Sequence, residues 1–164
     1  NMNNAVGALA WDTMFGEGFR LCIGNDGFSN AMWEDWKAAY LLHKVTSRDP
    51  RQANGSAIWQ AAVNNNALMA SQFFGGAPIG QLIEGARADM IFVDYHPYTP
   101  LSVGNLPWHV LFGFESSMVT TTIVDGRVLM RDRQLTTLDE RAIAEAALAI
   151  APGVWERYAA YARR

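Results

Sequence analysis

The sequence predicts an α/β fold in which a strand–helix unit precedes a small antiparallel sheet. Residues 19–23 form a short, mostly apolar run bounded by glycines, and a pattern of helical periodicity follows over residues 31–45. Much later, the β-branched run 118–124 meets Asp125-Gly126, a two-residue hairpin signal, and an apolar run returns. The first pair is typical of a parallel α/β unit, whereas the hairpin indicates a separate antiparallel sheet.

Two helices are predicted in the first third of the chain. Residues 5–15 are mildly apolar and free of proline, and Gly16 and Gly18 should end this helix. Ser29 or Asn30 is expected to cap the second helix, over residues 31–45. The apolar side chains of that second helix recur on one broad face, which predicts packing against a core.

The middle of the chain predicts two more helices and a strand. Ser56 is expected to cap a helix over residues 57–66, and residues 67–74 form another helical stretch before a glycine-rich break. Residues 88–94 contain an apolar run that predicts a strand with apolar side chains on both faces.

A final helix is predicted near the end of the sequence. Thr137 and Glu140 have the spacing of a capping box, which should open this helix. Pro152-Gly153 should then kink or split it, because proline cannot donate the helical hydrogen bond.

Composition excludes several classes of protein. Half of the 164 residues are hydrophobic and 12% are aromatic, which is typical of a globular protein. The net charge of −3 offers no basic excess for a phosphate backbone, so nucleic acid is not expected as a partner. No apolar run reaches the roughly 18 residues that a membrane span needs, so no membrane partner is expected. The single cysteine, Cys22, excludes a disulfide framework and predicts a cytoplasmic location.

Asp26 is the strongest candidate for chemistry. It directly follows the predicted strand over residues 19–23 and precedes a helix. Ligands bind at the carboxyl ends of strands in α/β folds, and a carboxylate there can ligate a divalent metal or move a proton. The alternative is that Asn25-Asp26-Gly27 is only a turn, since all three are turn formers, and such tripeptides are more commonly turns.

The other reactive side chains favour structural roles. His43, His96 and His109 share no spacing typical of metal ligands, so each is interpreted as a packed or surface histidine. Cys22 lies inside the predicted apolar strand and is expected to be a buried, inert thiol.

Three segments resemble a known family. Residues 20–27 resemble the last barrel strand of amidohydrolases, an apolar run ending in Gly-Thr-Asp, with Asn25 in place of the usual threonine. Residues 85–94 resemble the family's glycine, basic residue, Ala-Asp and apolar strand, and residues 123–128 resemble its C-terminal hairpin. The chain is therefore similar to the C-terminal portion of an amidohydrolase-superfamily enzyme of the aminohydrolase/chlorohydrolase type, near the selenium-metabolism aminohydrolases and guanine deaminase.

This resemblance implies a metal-dependent hydrolase. In the family, a (β/α)8 barrel holds one zinc or iron through a His-x-His pair, two later histidines and an aspartate; Asp26 alone corresponds to these ligands and to the catalytic proton acceptor. The metal acidifies a water, which attacks an electron-poor ring carbon. The implied function is hydrolysis of a non-peptide carbon–nitrogen bond, such as deamination of an aminated heterocycle. Hydrolytic dehalogenation, or a non-catalytic interaction or oligomerisation module, are the alternatives.

The resemblance also implies how the chain is divided. Residues 1–75 would be a C-terminal segment of the (β/α)8 metallo-hydrolase barrel, and residues 76–164 part of a small β-sandwich with a terminal helix. A whole barrel takes about 250 residues, so the chain is expected to be part of a longer enzyme. Alone it should be inactive, bind no metal, and aggregate or pair with another chain. The expected partners are a small-molecule substrate and, as an open alternative, a second copy of the chain.

Overall fold

The computed structural model describes residues 2, 4–27 and 30–162. The α-helices in this part of the chain are α1 (Trp11–Gly16), α2 (Met32–Ser47), α3 (Gly55–Trp59), α4 (Asn66–Phe73), α5 (Leu106–Gly113) and α6 (Glu140–Ala162). A π-helical stretch, Gln60–Asn65, joins α3 directly to α4, so the two helices predicted here are one continuous helical run. Among these residues, no helix is long and apolar enough to cross a bilayer.

A four-stranded antiparallel sheet lies in the second half of the chain, with α5 between its first two strands and α6 after its last. Its strands are β1 (Met90–Val93), β2 (Val119–Val124), β3 (Arg127–Arg131) and β4 (Gln134–Leu135), in that spatial order. A 3₁₀ turn, Ser116–Met118, leads into β2. The predicted strand over residues 88–94 and the predicted hairpin are both confirmed. Asp125 and Gly126 both have positive φ, 49° and 76°, as a type I′ hairpin turn requires.

The core forms where the first helices meet α5. Its buried members come from α1, the segment after it, the α2–α3 loop, α3, the π-helical stretch and α5. They are Trp11, Leu21, Ala53, Ile58, Ala61 and Leu111. α5 therefore crosses back from the second half of the chain and packs on the helices of the first half.

The first helix is shorter than predicted. It covers Trp11–Gly16 rather than residues 5–15. Ala5 and Gly7 have φ of 51° and 90°, a conformation that a right-handed helix cannot contain. Gly18, with φ 82°, lies just beyond the end of the helix, as the glycine signal indicated.

The predicted strand over residues 19–23 is absent as a paired strand. The segment forms no sheet ladder with any described residue, but burial alternates residue by residue from Leu21 to Asp26, as it does along an extended chain. Among the described residues, no neighbouring strand bonds its backbone; the carbonyls of Leu21 and Ile23 accept hydrogen bonds from side chains instead, as described below.

Of the two residues predicted to cap α2, Ser29 and Asn30, the structure tests only Asn30, and that prediction is wrong. Ser29 lies outside the described residues. The residue at the N-cap position is Ala31, which makes no side-chain cap, so Asn30 is not the cap. The Asn30 amide oxygen instead lies 3.5 Å from Asn25 Nδ2.

Two further caps are displaced from the predicted residues. Asn54, not Ser56, caps α3, and its side chain accepts from the Ala57 amide at 3.0 Å. Asp139 Oδ1 accepts from the amide of residue 142 at 3.0 Å at the start of α6, so Thr137 is not the cap. In each case the residue that caps lies immediately before the first helical residue, where a short side chain reaches the free amides.

Pro152 does not split the last helix. α6 is one helix of 23 residues with Pro152 inside it. The proline removes the bond to the carbonyl of Leu148, whose side chain is exposed, so water can solvate that turn. No described residue of α6 is buried.

Candidate functional site

Asp26 lies at the end of the extended segment, in a turn. Its backbone is left-handed, with φ 50°, and Gly27 follows with φ 71°. Aspartate is one of the few residues other than glycine that adopt this conformation readily. The carboxylate is exposed and forms no hydrogen bond or ion pair with another described residue. Asp26 thus lies both in a turn and at the end of the segment that was predicted as a strand, so the two interpretations of its position are compatible.

Two asparagine side chains hold the segment that leads to Asp26. Asn65 Nδ2 donates to the carbonyl of Leu21 at 2.7 Å, and Asn66 Nδ2 donates to the carbonyl of Ile23 at 2.7 Å. Carbonyls two residues apart point to the same side of an extended chain. The amides therefore replace the hydrogen bonds that a neighbouring strand would supply.

The π-helical stretch presents these amides. Asn65 ends this stretch and Asn66 begins α4. The Asn65 side chain is 7% exposed, and its oxygen accepts from Gln60 Nε2 at 2.9 Å. π-helical turns occur mainly as short interruptions of α-helices, often at functional sites. The sequence interpretation missed this pair; three consecutive asparagines in a helical run, all weak helix formers, were the available signal.

The histidines occupy three separate places. His43 is buried beside the Trp11 ring, with centroids 5.0 Å apart, and burial lowers its pKa, while Asp12 opposes the shift. His109 is bonded on both ring nitrogens, by Tyr95 Oη at 2.7 Å from Nδ1 and by Thr99 at 3.3 Å from Nε2. His96 is exposed. None is brought to Asp26, which agrees with the structural roles that their spacing favoured.

The prediction that Cys22 is buried is wrong. Its thiol is free and exposed. Leu21 is buried and Ile23 packs against the core, and side chains alternate along an extended chain, so Cys22 points outward.

The described residues do not by themselves fit a catalytic metal. Within residues 2, 4–27 and 30–162, no group of three histidine, cysteine, aspartate or glutamate side chains could hold an ion. Catalytic zinc takes three protein ligands, and Asp26 offers one carboxylate. A cleft of about 440 Å³ opens between the π-helical stretch and residues 76–81, but Asp26 does not line it.

Curated relatives of the chain are deaminases. A 5'-deoxyadenosine deaminase of Methanosarcina mazei is 32% identical over 151 residues, which are 90% of this chain and 34% of that protein. A 5-methylthioadenosine/S-adenosylhomocysteine deaminase of Thermococcus onnurineus is 33% identical over 139 residues, 82% of this chain and 32% of that protein. The chain thus spans about a third of the length of the curated relatives it matches. No protein-family model matches it.

Solved structures share the fold. An adenosine deaminase from Xanthomonas campestris with bound zinc superposes with a TM-score of 0.61 at 19% identity, over 76% of this chain and 28% of that one. The zinc complex of an atrazine chlorohydrolase from Arthrobacter aurescens gives 0.66 at 18% identity, over 88% and 32%. The mixed helix-and-sheet architecture matches part of an amidohydrolase barrel protein. The likeness expected from the sequence is therefore confirmed as sequence similarity to deaminases over about a third of their length, and as a fold shared with part of these hydrolase structures.

Proposed function

We propose that the natural protein containing this chain is a metal-dependent hydrolase that removes the amino group of an adenine nucleoside altered at its 5' position. The observation that carries this proposal is the 32% identity to a 5'-deoxyadenosine deaminase over 90% of the chain. The second deaminase named above acts, by its name, on nucleosides with a sulfur-containing 5' group, so the 5' position is where we expect the substrate range to be broad.

Asp26 is the residue of this chain that we propose as both metal ligand and proton acceptor. Its support is its exposed position at the end of a core-anchored extended segment. The metal proposed is zinc, because two of the solved neighbours bind it; iron is the alternative. A bound divalent metal would lower the pKa of a water to produce a hydroxide nucleophile. Since the described residues supply one carboxylate, the remaining ligands must come from elsewhere in the protein.

We also propose that residues 1–75 belong to the barrel of this enzyme and residues 76–164 to its small β-sandwich and terminal helix. The support is the distribution of elements: α1 to α4 precede residue 75 and every described strand follows it. A cytoplasmic location is proposed from the unpaired thiol of Cys22.

The test is an assay of the natural gene product that contains this chain. We expect stoichiometric zinc and ammonia release from 5'-deoxyadenosine, and a loss of roughly hundredfold or more in kcat for Asp26→Asn. Asp132→Asn is the matched control, because Asp132 is also exposed and has the same left-handed backbone, with φ 51°. That variant should keep full activity.

Three outcomes would overturn the proposal. Chloride release from atrazine without deamination would favour the dehalogenase. Full deaminase activity in Asp26→Asn would remove Asp26 from the site. A folded protein with neither zinc nor activity would favour the interaction module.

A further inference from the structure

Two carbonyls of the extended segment before Asp26, those of Leu21 and Ile23, depend on side chains for their hydrogen bonds. Residues 19–25 lie outside every described strand, yet Leu21 is 7% exposed and belongs to the core. A buried carbonyl without a partner costs about 1–3 kcal/mol, so some group must satisfy the carbonyl of Leu21. Asn65 and Asn66 supply the donors described above, both at 2.7 Å.

The two donors are consecutive in sequence, which constrains the helix. Side chains of adjacent α-helical residues diverge by about 100°, since there are 3.6 residues per turn. In a π-helical turn each hydrogen bond joins residues five apart rather than four, so successive residues rotate through a smaller angle about the helix axis. Asn65 lies at the end of the π-helical stretch, where this change of winding brings its amide and that of Asn66 toward the same segment.

Further contacts fix the orientation of the Asn65 amide. Its oxygen accepts from Gln60 Nε2 at 2.9 Å, and Gln60 Oε1 accepts from Asn64 Nδ2 at 2.9 Å. The Asn65 nitrogen is therefore directed at Leu21 rather than free to exchange places with the oxygen. Donation to a carbonyl requires this orientation.

We propose that Asn65 and Asn66 form an amide clamp that sets the position of Asp26. The clamp fixes two carbonyls, at Leu21 and Ile23, and the second lies three residues before Asp26. Asp26 itself has no described partner, so its position is inherited from the backbone that the clamp holds. The importance of this positioning for catalysis rests on the proposed function, whereas the clamp itself does not.

Cys22 offers a direct probe of the clamp. It lies between the two clamped residues, is exposed, and is the only cysteine in the 164-residue sequence. A nitroxide attached to Cys22 in this chain should give a slow-motion electron spin resonance spectrum. Asn65→Leu and Asn66→Leu should each raise its mobility at least twofold. The control, Gln72→Leu, removes an exposed amide of α4 that forms no described hydrogen bond to the segment, and it should leave the spectrum unchanged.

A pH titration separates loss of the donor from a general loosening of the fold. In Asn65→Asp, the introduced carboxyl can donate to the Leu21 carbonyl only when it is protonated. Burial raises the pKa of such a carboxyl, so the label should be held at low pH and released as pH rises. The unsubstituted chain should show no such release. Should Asn65→Leu fail to fold by circular dichroism, Asn66→Leu and this titration decide the question.

The catalytic consequence is measured in the preparation that deaminates its substrate. There, Asn65→Asp and Asn66→Leu should lower kcat roughly ten- to hundredfold through misplacement of Asp26, with KM changed less than threefold. Unchanged label mobility in both leucine variants would overturn the clamp. Increased mobility with unchanged kcat would show that Asp26 does not depend on it. Absence of any activity would count against the proposed function alone, since the spin-label result stands without it.

Discussion

The guanidinium of Arg87 lies 2.9 Å from the carboxylate of Asp125, Nη1 to Oδ1, across 38 positions of sequence. The same guanidinium donates to the carbonyl of Phe74 at 3.1 Å. Asp89 Oδ1 accepts from the Asp125 amide at 2.6 Å. Two of the residues that carried the family resemblance, Arg87 and Asp89, thus tie the hairpin turn to the segment that enters β1.

Arg87→Ala should destabilise the chain by about 1–2 kcal/mol, because it removes the ion pair and the bond to Phe74 together. Asp125→Asn should cost less than about 1 kcal/mol, since this carboxylate is 66% exposed and asparagine tolerates the left-handed turn. Urea denaturation of both single variants and the double variant measures the coupling. Arg141→Ala, which breaks an exposed pair on α6, is the control and should change little. An equal loss in the control would mean that the Arg87 contacts have no special effect.

Ile58→Ala should lower the free energy of unfolding by about 2–5 kcal/mol. Ile58 is 0% exposed at the centre of the core, and its truncation removes buried area and leaves a cavity. Leu82→Ala, at a side chain that is 87% exposed, should change stability by less than about 0.5 kcal/mol. Thermal unfolding of the two variants is the measurement. Comparable effects would show that Ile58 is not in the core.

Gly113→Ala should lower the free energy of unfolding, whereas Gly153→Ala should raise it. A Cβ at Gly113 would lie 2.6 Å from Tyr95 Oη, so alanine must displace the ring that bonds His109, at a cost of about 1–3 kcal/mol. A Cβ at Gly153 meets nothing nearer than 3.7 Å, and alanine is the better helix former, so a gain of up to about 1 kcal/mol is expected. Chemical denaturation distinguishes them. Stabilisation by Gly113→Ala would exclude the close contact.

Stability should fall as pH falls below about 6.5 through the burial of His43. Desolvation lowers its pKa in the folded chain from 6.5, with Asp12 opposing and Lys44 adding to the lowering. As pH decreases, the unfolded chain binds the proton before the folded chain does. The free energy of unfolding therefore falls as pH decreases from 6.5 toward the folded pKa, and His43 causes no such loss above pH 6.5. In His43→Gln this part of the pH dependence should vanish, whereas His96→Gln, at an exposed histidine, should retain it. Identical profiles for all three proteins would refute the assignment.

Dialysis of the 164-residue chain against excess zinc should leave no stoichiometric metal. One exposed carboxylate, at Asp26, is too little to hold a catalytic zinc. Metal analysis after gel filtration is the measurement, with Asp26→Ala as the comparison. One zinc per monomer that disappears in Asp26→Ala would reveal ligands beyond those that the described residues bring together.

Local signals in the sequence predicted the hairpin, while signals that depend on distant partners did not predict the clamp. Asp125-Gly126 specifies its turn through backbone preference alone, so β2 and β3 followed directly. The apolar run at residues 19–23 indicated an extended chain, but its hydrogen-bond donors lie more than 40 positions away, at Asn65 and Asn66. No local pattern encodes that distance.

As with the fold, the sequence predicted some features of the candidate site and not others. The position of Asp26 at the end of an extended segment followed from its neighbours in sequence. The exposure of Cys22 was not predicted, although Arg20, two residues earlier and on the same side of an extended chain, was the available signal. The caps of α3 and α6 were predicted within two residues, since several short polar residues lie together at the start of each of these helices.

The unburied helix α6 gives the chain an uneven distribution of local stability. With no buried residue along its 23 positions, its hydrogen bonds are maintained by helix propensity and little else. Amide hydrogens in α6 should therefore exchange with solvent through local fraying, at rates that core substitutions do not alter. Amides near Ile58 should exchange only when the core opens. A single midpoint from a probe on α6 would consequently report the opening of one helix rather than the unfolding of the protein.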